Sequence, residues 1–177
     1  MLTKNFKNMM AMILERTSGY KGLLEARATN NTVYYLMGTY DSYSFPYGVT
    51  QTYTNNMGNA GIALGSGDVA ATEEDYTLQA PITSGITVTV TILTGMEEDG
   101  SPYLEYSLVI ANNTANTVSI REVGYIQQLY TSTVYDSTSG YGRRACLLDR
   151  TVLATPVVIL AGENGVVKYR LKTAVAE

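Results

Sequence analysis

A chain of 177 residues with 45% hydrophobic and 16% charged side chains is long enough for one sizeable core and too short for two, which excludes charge-driven disorder. A net charge of -4 with scattered Lys and Arg leaves no electrostatic footprint for a phosphate backbone, so nucleic acid is not an expected partner. No histidine is present, which removes the commonest general base and zinc ligand, and no apolar run approaches the roughly 18 residues that span a bilayer, so no membrane is expected either.

Residues 3–16 form a helical segment: Thr3 is placed to cap it, and Phe6, Met9, Met10, Ile13 and Leu14 share one face before Gly19 and Gly22 break the pattern. So short a helix is marginal alone, and its apolar face is expected to dock on the sheet or on another subunit, as the anchor of an arm spanning residues 1–30. Residues 31–177 are expected to form one β-sandwich domain. Within it, 32–37 reads as a strand, and the rest of the stretch to Gly58 is rich in Tyr, Thr, Asn and Gly, including Tyr40, Tyr43, Tyr47 and Tyr53. Pro46 and the Asn pairs deny that stretch a regular period, so it predicts a long surface excursion.

The apolar strand in "GIALGSGD" stops at Gly65 and Gly67, and Thr72 with Asp75 resembles a capping box opening one helical turn. Ile86, Val88, Val90 and Ile92 alternate with Thr87, Thr89 and Thr91, the period-two signature of a half-buried antiparallel strand. "TGMEEDGSP" predicts a hairpin to a strand whose inner face is Leu104, Tyr106, Leu108 and Ile110. A further strand, 118–126, must change its inward face near Glu122, either through a bulge at or beside Gly124 or through a paired, buried Glu122. A second Tyr-bearing excursion over 127–144 includes Tyr130, Tyr135 and Tyr141. Strands then resume at 145–153, 156–160 and 166–172, the last two joined by a hairpin turn through Gly162, Asn164 and Gly165. Seven or eight strands with regular turn signals define the expected class: mainly β, an antiparallel β-sandwich or jelly-roll-like domain with a short N-terminal helix and long Tyr-rich loops.

Chemistry-bearing clusters are few. Glu97, Glu98 and Asp99 are consecutive, so their carboxylates diverge and suit a solvated hairpin tip better than a calcium loop. Asp68, Glu73, Glu74 and Asp75 could surround a cation, but carboxylates relieving a turn's free N–H groups are the simpler account, and no metal or cofactor is expected. The glycines of "GIALGSGD" lack the Lys-Ser/Thr of a phosphate loop, and no histidine stands ready to activate a Ser or Cys. Cys146 has no disulfide partner and reads as a small buried hydrophobe. Glu122 and Arg150 are charged residues inside apolar strands, and the expectation is that they pair across adjacent strands as a structural ion pair.

Across residues 61–172, "IALGSGDVAATEEDYTL", "SPYLEYSLVIANNT", "VSIREVGYI", "LLDRTVLATPVVILAGE" and "VVKYRLK" resemble virion structural proteins of tailed bacteriophages. The resemblance implies a non-enzymatic subunit at the capsid surface, neck, tail or fibre, made in the bacterial cytoplasm and assembled with other virion proteins as a homo-oligomer, with no small-molecule substrate. The chain's 15 Tyr against two Phe and no Trp fit that role, because tyrosine suits surfaces that become interfaces. Tyr40, Tyr43, Tyr47, Tyr53, Tyr130, Tyr135 and Tyr141 are the interface candidates. A glycan- or host-surface-binding module using exposed tyrosines is the alternative.

Overall fold

The computed structural model describes residues 1–15, 25–36, 61–98, 100–133 and 142–172. Its elements are α1 (Lys4–Glu15), β1 (Glu25–Arg27), β2 (Val33–Leu36), β3 (Gly61–Gly65), β4 (Ile86–Met96), β5 (Pro102–Asn112), β6 (Val118–Ser132), β7 (Gly142–Ile159) and β8 (Asn164–Lys172). They form two antiparallel sheets in a mainly β, sandwich-like fold: β1-β2-β6-β3 with β7 on β6, and β4-β5-β8. Strand β6 is the spine of the larger sheet. Its one edge takes β7 from Val118↔Ile159 to Thr131↔Gly142, and its other edge takes β3 at Gly61↔Ile126 to Gly65↔Glu122 and β2 at Tyr35↔Ser132.

The core lies between the sheets. Tyr106, Leu108 and Ile110 of β5 and Val167 and Tyr169 of β8 join Ile120, Val123, Cys146, Leu148 and Ile159 in one buried cluster. Burying each aliphatic side chain of this kind contributes about 1.5–3 kcal/mol. Strand β4 shows the alternation its sequence predicts, with Ile86, Val88, Val90 and Ile92 half-buried against the core and Thr87, Thr89 and Thr91 exposed.

The change of face in β6 occurs at Arg121, with Glu122 buried and paired, and a second irregularity falls beside Gly124, between Tyr125 and Ile126. Ile120 pairs with Val157 and Glu122 with Val152, so β6 has one residue where β7 has Leu153 to Pro156. Pro156, which has no N–H to give, falls in this unpaired section, and 145–153 and 156–160 are therefore one continuous strand with an irregularity instead of two strands. After the bulge Val123 and Tyr125 enter the main core, while Ile126 packs on the opposite face with Ala63, Leu78, Ala145 and Leu147. Strand β6 also runs on to Ser132 and β7 begins at Gly142, which trims the second excursion at both ends.

Helix α1 docks on the chain's own sandwich. Met9 is buried in the main core, with Phe6 and Met10 partly buried against it; the side chains of Ile13 and Leu14 lie outside the described residues. Thr3 flanks the helix and its carbonyl accepts the Lys7 N–H at 3.2 Å, but its hydroxyl donates to the Leu147 carbonyl at 2.7 Å and so ties the helix start to β7. Asn5 adds donations to the Arg27 and Leu147 carbonyls at 2.8 and 3.1 Å, and its Oδ1 accepts the Arg27 N–H at 2.7 Å.

Besides the long connection from β3 to β4, the chain passes between the sheets at two short corners, β5 to β6 and β7 to β8. The second of these reads as a hairpin from sequence, yet β7 and β8 belong to different sheets. Gly162, at φ +76°, makes the tight turn there, and the Glu163 N–H donates to the Leu160 carbonyl. Buried Asn112 holds both corners: its Nδ2 lies within 2.8–3.1 Å of the carbonyls of Asn116, Ile159 and Leu160, and its Oδ1 accepts from the Thr114 N–H and hydroxyl.

Candidate functional site

Arg150 is fully buried on the face of the larger sheet that looks away from the main core. It stands opposite Gly124, diagonal to Glu122 across the β6–β7 pair, so the alternation of both strands puts the two side chains on one face. Arg150 Nε donates to Glu122 Oε2 at 2.8 Å, and Nη1 donates to Asp75 Oδ2 at 2.8 Å. Nη2 donates to the Val69 carbonyl at 2.9 Å. Glu122 also accepts the backbone N–H groups of Gly67, Gln79 and Ala80 at 3.2, 3.1 and 2.8 Å. These bonds clamp residues 66–80 as a strap over the sheet.

Glycine is required beneath the strap by close approach. A Cβ at Gly65 would land on Glu122 Oε1, and one at Gly67 would lie 2.7 Å from the same atom. At Gly124 a Cβ would lie 2.8 Å from Leu78, the apolar residue that seats the strap. The glycines of "GIALGSGD" thus make room for a carboxylate, beyond ending a strand.

Burial drives the Asp75 carboxyl upward, but the Thr72 N–H, the Arg150 guanidinium and the Thr72 hydroxyl outweigh it and hold Asp75 below its ordinary range. For Arg150 burial pulls downward, and the carboxylates of Asp75 and Glu122 more than compensate, so the guanidinium stays charged. The Thr72–Asp75 segment is a single turn closed by reciprocal bonds, without the helical turn its sequence suggests. Asp75 is the member of this cluster that sequence reasoning assigned to a local cap.

The other acids of that stretch each meet their own cation: Asp68 meets Arg121 at 3.3 Å, Glu73 meets Lys7, and Glu74 meets Lys4 at 3.6 Å. Among the described residues no group of three or more Cys, Asp or Glu side chains is placed to hold a metal ion. Glu97 likewise pairs with Arg170 at 2.9 Å at the β4–β5 hairpin, and Asp99 lies outside the described residues. The chain matches no protein-family model, no curated protein and no solved structure.

Among the described residues a sheet face and a cleft stand open to a partner. The outer face of β4-β5-β8 sets Thr89 beside Val109 and Val166, and Thr91 beside Ser107 and Lys168, with Val109, Val166 and Leu93 exposed at 43%, 54% and 52%. A cleft of about 340 Å3 opens between the start of α1, β1 and the 73–75 turn, beside the ion pairs of Glu73, Glu74 and Asp75. Of the interface tyrosines, Tyr130 is placed on β6 opposite Arg143, and Tyr40, Tyr43, Tyr47, Tyr53, Tyr135 and Tyr141 lie outside the described residues. Among the described tyrosines, Tyr106, Tyr125 and Tyr169 cluster in the core, the Tyr106 ring centroid 5.9 Å from that of Tyr125 and 6.1 Å from that of Tyr169, and Tyr169 donates to buried Asp149, whereas half-buried Tyr76 and Tyr103 lie under the guanidinium groups of Arg27 and Arg170.

Proposed function

We propose that the chain is a non-enzymatic structural subunit of a tailed-phage virion, working through contacts with other virion proteins and with copies of itself. The observation that carries this is the outer face of β4-β5-β8, where exposed Val109, Val166 and Leu93 stand among uncharged Thr87, Thr89 and Thr91 on a broad antiparallel surface. Branched apolar side chains left exposed together on a sheet are the composition of a contact surface more than of a solvated one. Of the charges on that face, Arg170 pairs with Glu105 and Glu97 and lies over the Tyr103 ring at 4.1 Å, while exposed Lys168 stands opposite Ser107 at the edge of the apolar pair. The resemblance of residues 61–172 to phage virion proteins supplies the setting.

In this account α1 is a fixed part of the sandwich, because Met9, Thr3 and Asn5 are buried against the chain's own strands, and the sheet face is the adhesive element. Light scattering on the purified chain tests it. A defined oligomer that dissociates in Val109→Lys and Val166→Lys, with circular dichroism unchanged, is expected. A monomer at all concentrations, with no association with other particle proteins, would overturn it.

A further inference from the structure

Strand β4 is an edge of the smaller sheet, and it lacks the devices that keep such edges from pairing. Over Ile86–Met96 it carries no charged residue and no proline, and it follows β5 without a register shift. The opposite edge, β8, is guarded by Lys168, Arg170 and Lys172. Just beyond the two ends of β4 the Asn113 N–H donates to the Gly85 carbonyl and the Glu97 N–H to the Ser101 carbonyl. Because antiparallel bonds alternate, the odd-numbered residues of β4 give their N–H and C=O groups to β5, and the even-numbered ones turn theirs outward. Val88 already has a partner; past it the outward groups belong to Val90, Ile92, Thr94 and Met96, and among the described residues no strand takes them up. The side chains there are uncovered as well. Leu93 and Met96 are exposed at 52% and 66%, and Val90 and Ile92 are only half-buried although they face the core.

We infer that the Val90–Met96 edge pairs with the same edge of a second copy, antiparallel about a two-fold axis at Leu93, so that the two smaller sheets become one continuous sheet. In this register Val90 stands opposite Met96 of the second copy and Ile92 opposite its Thr94, and each such pair exchanges two main-chain bonds. Leu93 meets Leu93 of the second copy on the outer face, and exposed Met96 is covered by Val90 of the second copy. One register therefore takes up the outward groups of Val90, Ile92, Thr94 and Met96 and covers both exposed apolar side chains. A foreign strand would have to supply an apolar residue at each of those places, whereas a second copy brings them by symmetry, with no charge on either strand to oppose the approach. The edge is a different surface from the outer face assigned to subunit contact, so either can fail without the other.

Oxidative cross-linking of the full chain tests the pairing. Residues opposed without main-chain bonds have Cα atoms about 4.5 Å apart, within disulfide reach, so Leu93→Cys is expected to give a reducible dimer on a non-reducing gel. Buried Cys146 should leave the parent chain uncross-linked. Thr94→Pro removes one outward donor from each copy and spares the bonds to β5; added to Leu93→Cys it should lower the cross-linked yield about ten-fold or more, with circular dichroism unchanged. Thr94 is exposed, so Thr94→Lys, which sets a charge opposite Ile92 of the second copy, keeps the test valid where proline unsettles the strand. Val109→Lys, which separates copies joined through the outer face, should leave the Leu93→Cys cross-link in place. Absence of a Leu93→Cys dimer, a cross-link that survives Thr94→Lys, one that vanishes with Val109→Lys, or an equally strong one from Thr89→Cys would overturn the inference.

Discussion

Removing Arg150 tests the buried charge cluster most sharply. In Arg150→Met, Glu122 keeps three backbone N–H donors but loses the guanidinium at 2.8 Å, Asp75 loses the same cation at 2.8 Å, and the Val69 carbonyl loses its donor. Breaking a buried ion pair from one side costs about 3–5 kcal/mol, because the remaining charge stays desolvated. Glu122→Gln falls in the same range, since an amide NH2 replaces one acceptor oxygen and must face the N–H groups of Gln79 or Ala80 or the Arg150 Nε. For a chain of this size each kcal/mol lowers Tm by about 2–4 °C, so each variant is expected to melt roughly 6–20 °C below the parent. The double variant should be much less than additive, with a coupling of about 1–3 kcal/mol in a denaturant-based double-mutant cycle. Equal melting temperatures for the parent and both single variants, or strict additivity, would refute the cluster as a clamp on the 66–80 strap.

Asn112→Ala removes the Nδ2 group shared among three carbonyls at the two short corners between the sheets and should cost about 2–3 kcal/mol by urea denaturation; a loss under about 0.5 kcal/mol would show that the corners hold without it. Asp75 is held below its ordinary 3.8 in the folded chain, so its contribution is complete above that pH and is lost as the pH falls through the lower folded value; in Asp75→Asn this part of the acid destabilisation should disappear from pH-dependent melting curves. Burial pushes the Cys146 thiol up to about 12, so iodoacetamide at mildly alkaline pH should modify it only after unfolding, and rapid labelling of the native chain would contradict its placement in the core.

What could be read from sequence is what has short-range periodicity. Strand β4 was legible because every second residue of "ITVTVTI" is apolar, and β5 and β8 because Tyr106, Leu108 and Ile110, and Val167 and Tyr169, obey the same period. Glu122 and Arg150 announced themselves as charges inside apolar strands, and they sit 2.8 Å apart. Asp75 did not, because its local bonds to Thr72 are those of an ordinary turn while its long-range partner is 75 positions away. β1 is three residues whose strand character comes from pairing with β2, and no propensity marks so short a segment. The turn at Gly162 has the same chemistry whether the next strand pairs back or crosses to the other sheet, so local residues could not distinguish a hairpin from a corner. The cleft is assembled from α1, β1 and the 73–75 turn, three segments that only the tertiary fold brings together.

The proposed role as a virion subunit is tested most directly by cryo-electron microscopy of intact tailed-phage particles produced from a genome that carries this sequence. The account predicts copies of the sandwich at symmetry-related positions, each with the Val109 and Val166 face of β4-β5-β8 covered by a neighbouring subunit. Purified, complete particles that contain no copy of the chain, or copies whose β4-β5-β8 face points freely into solvent, would contradict it.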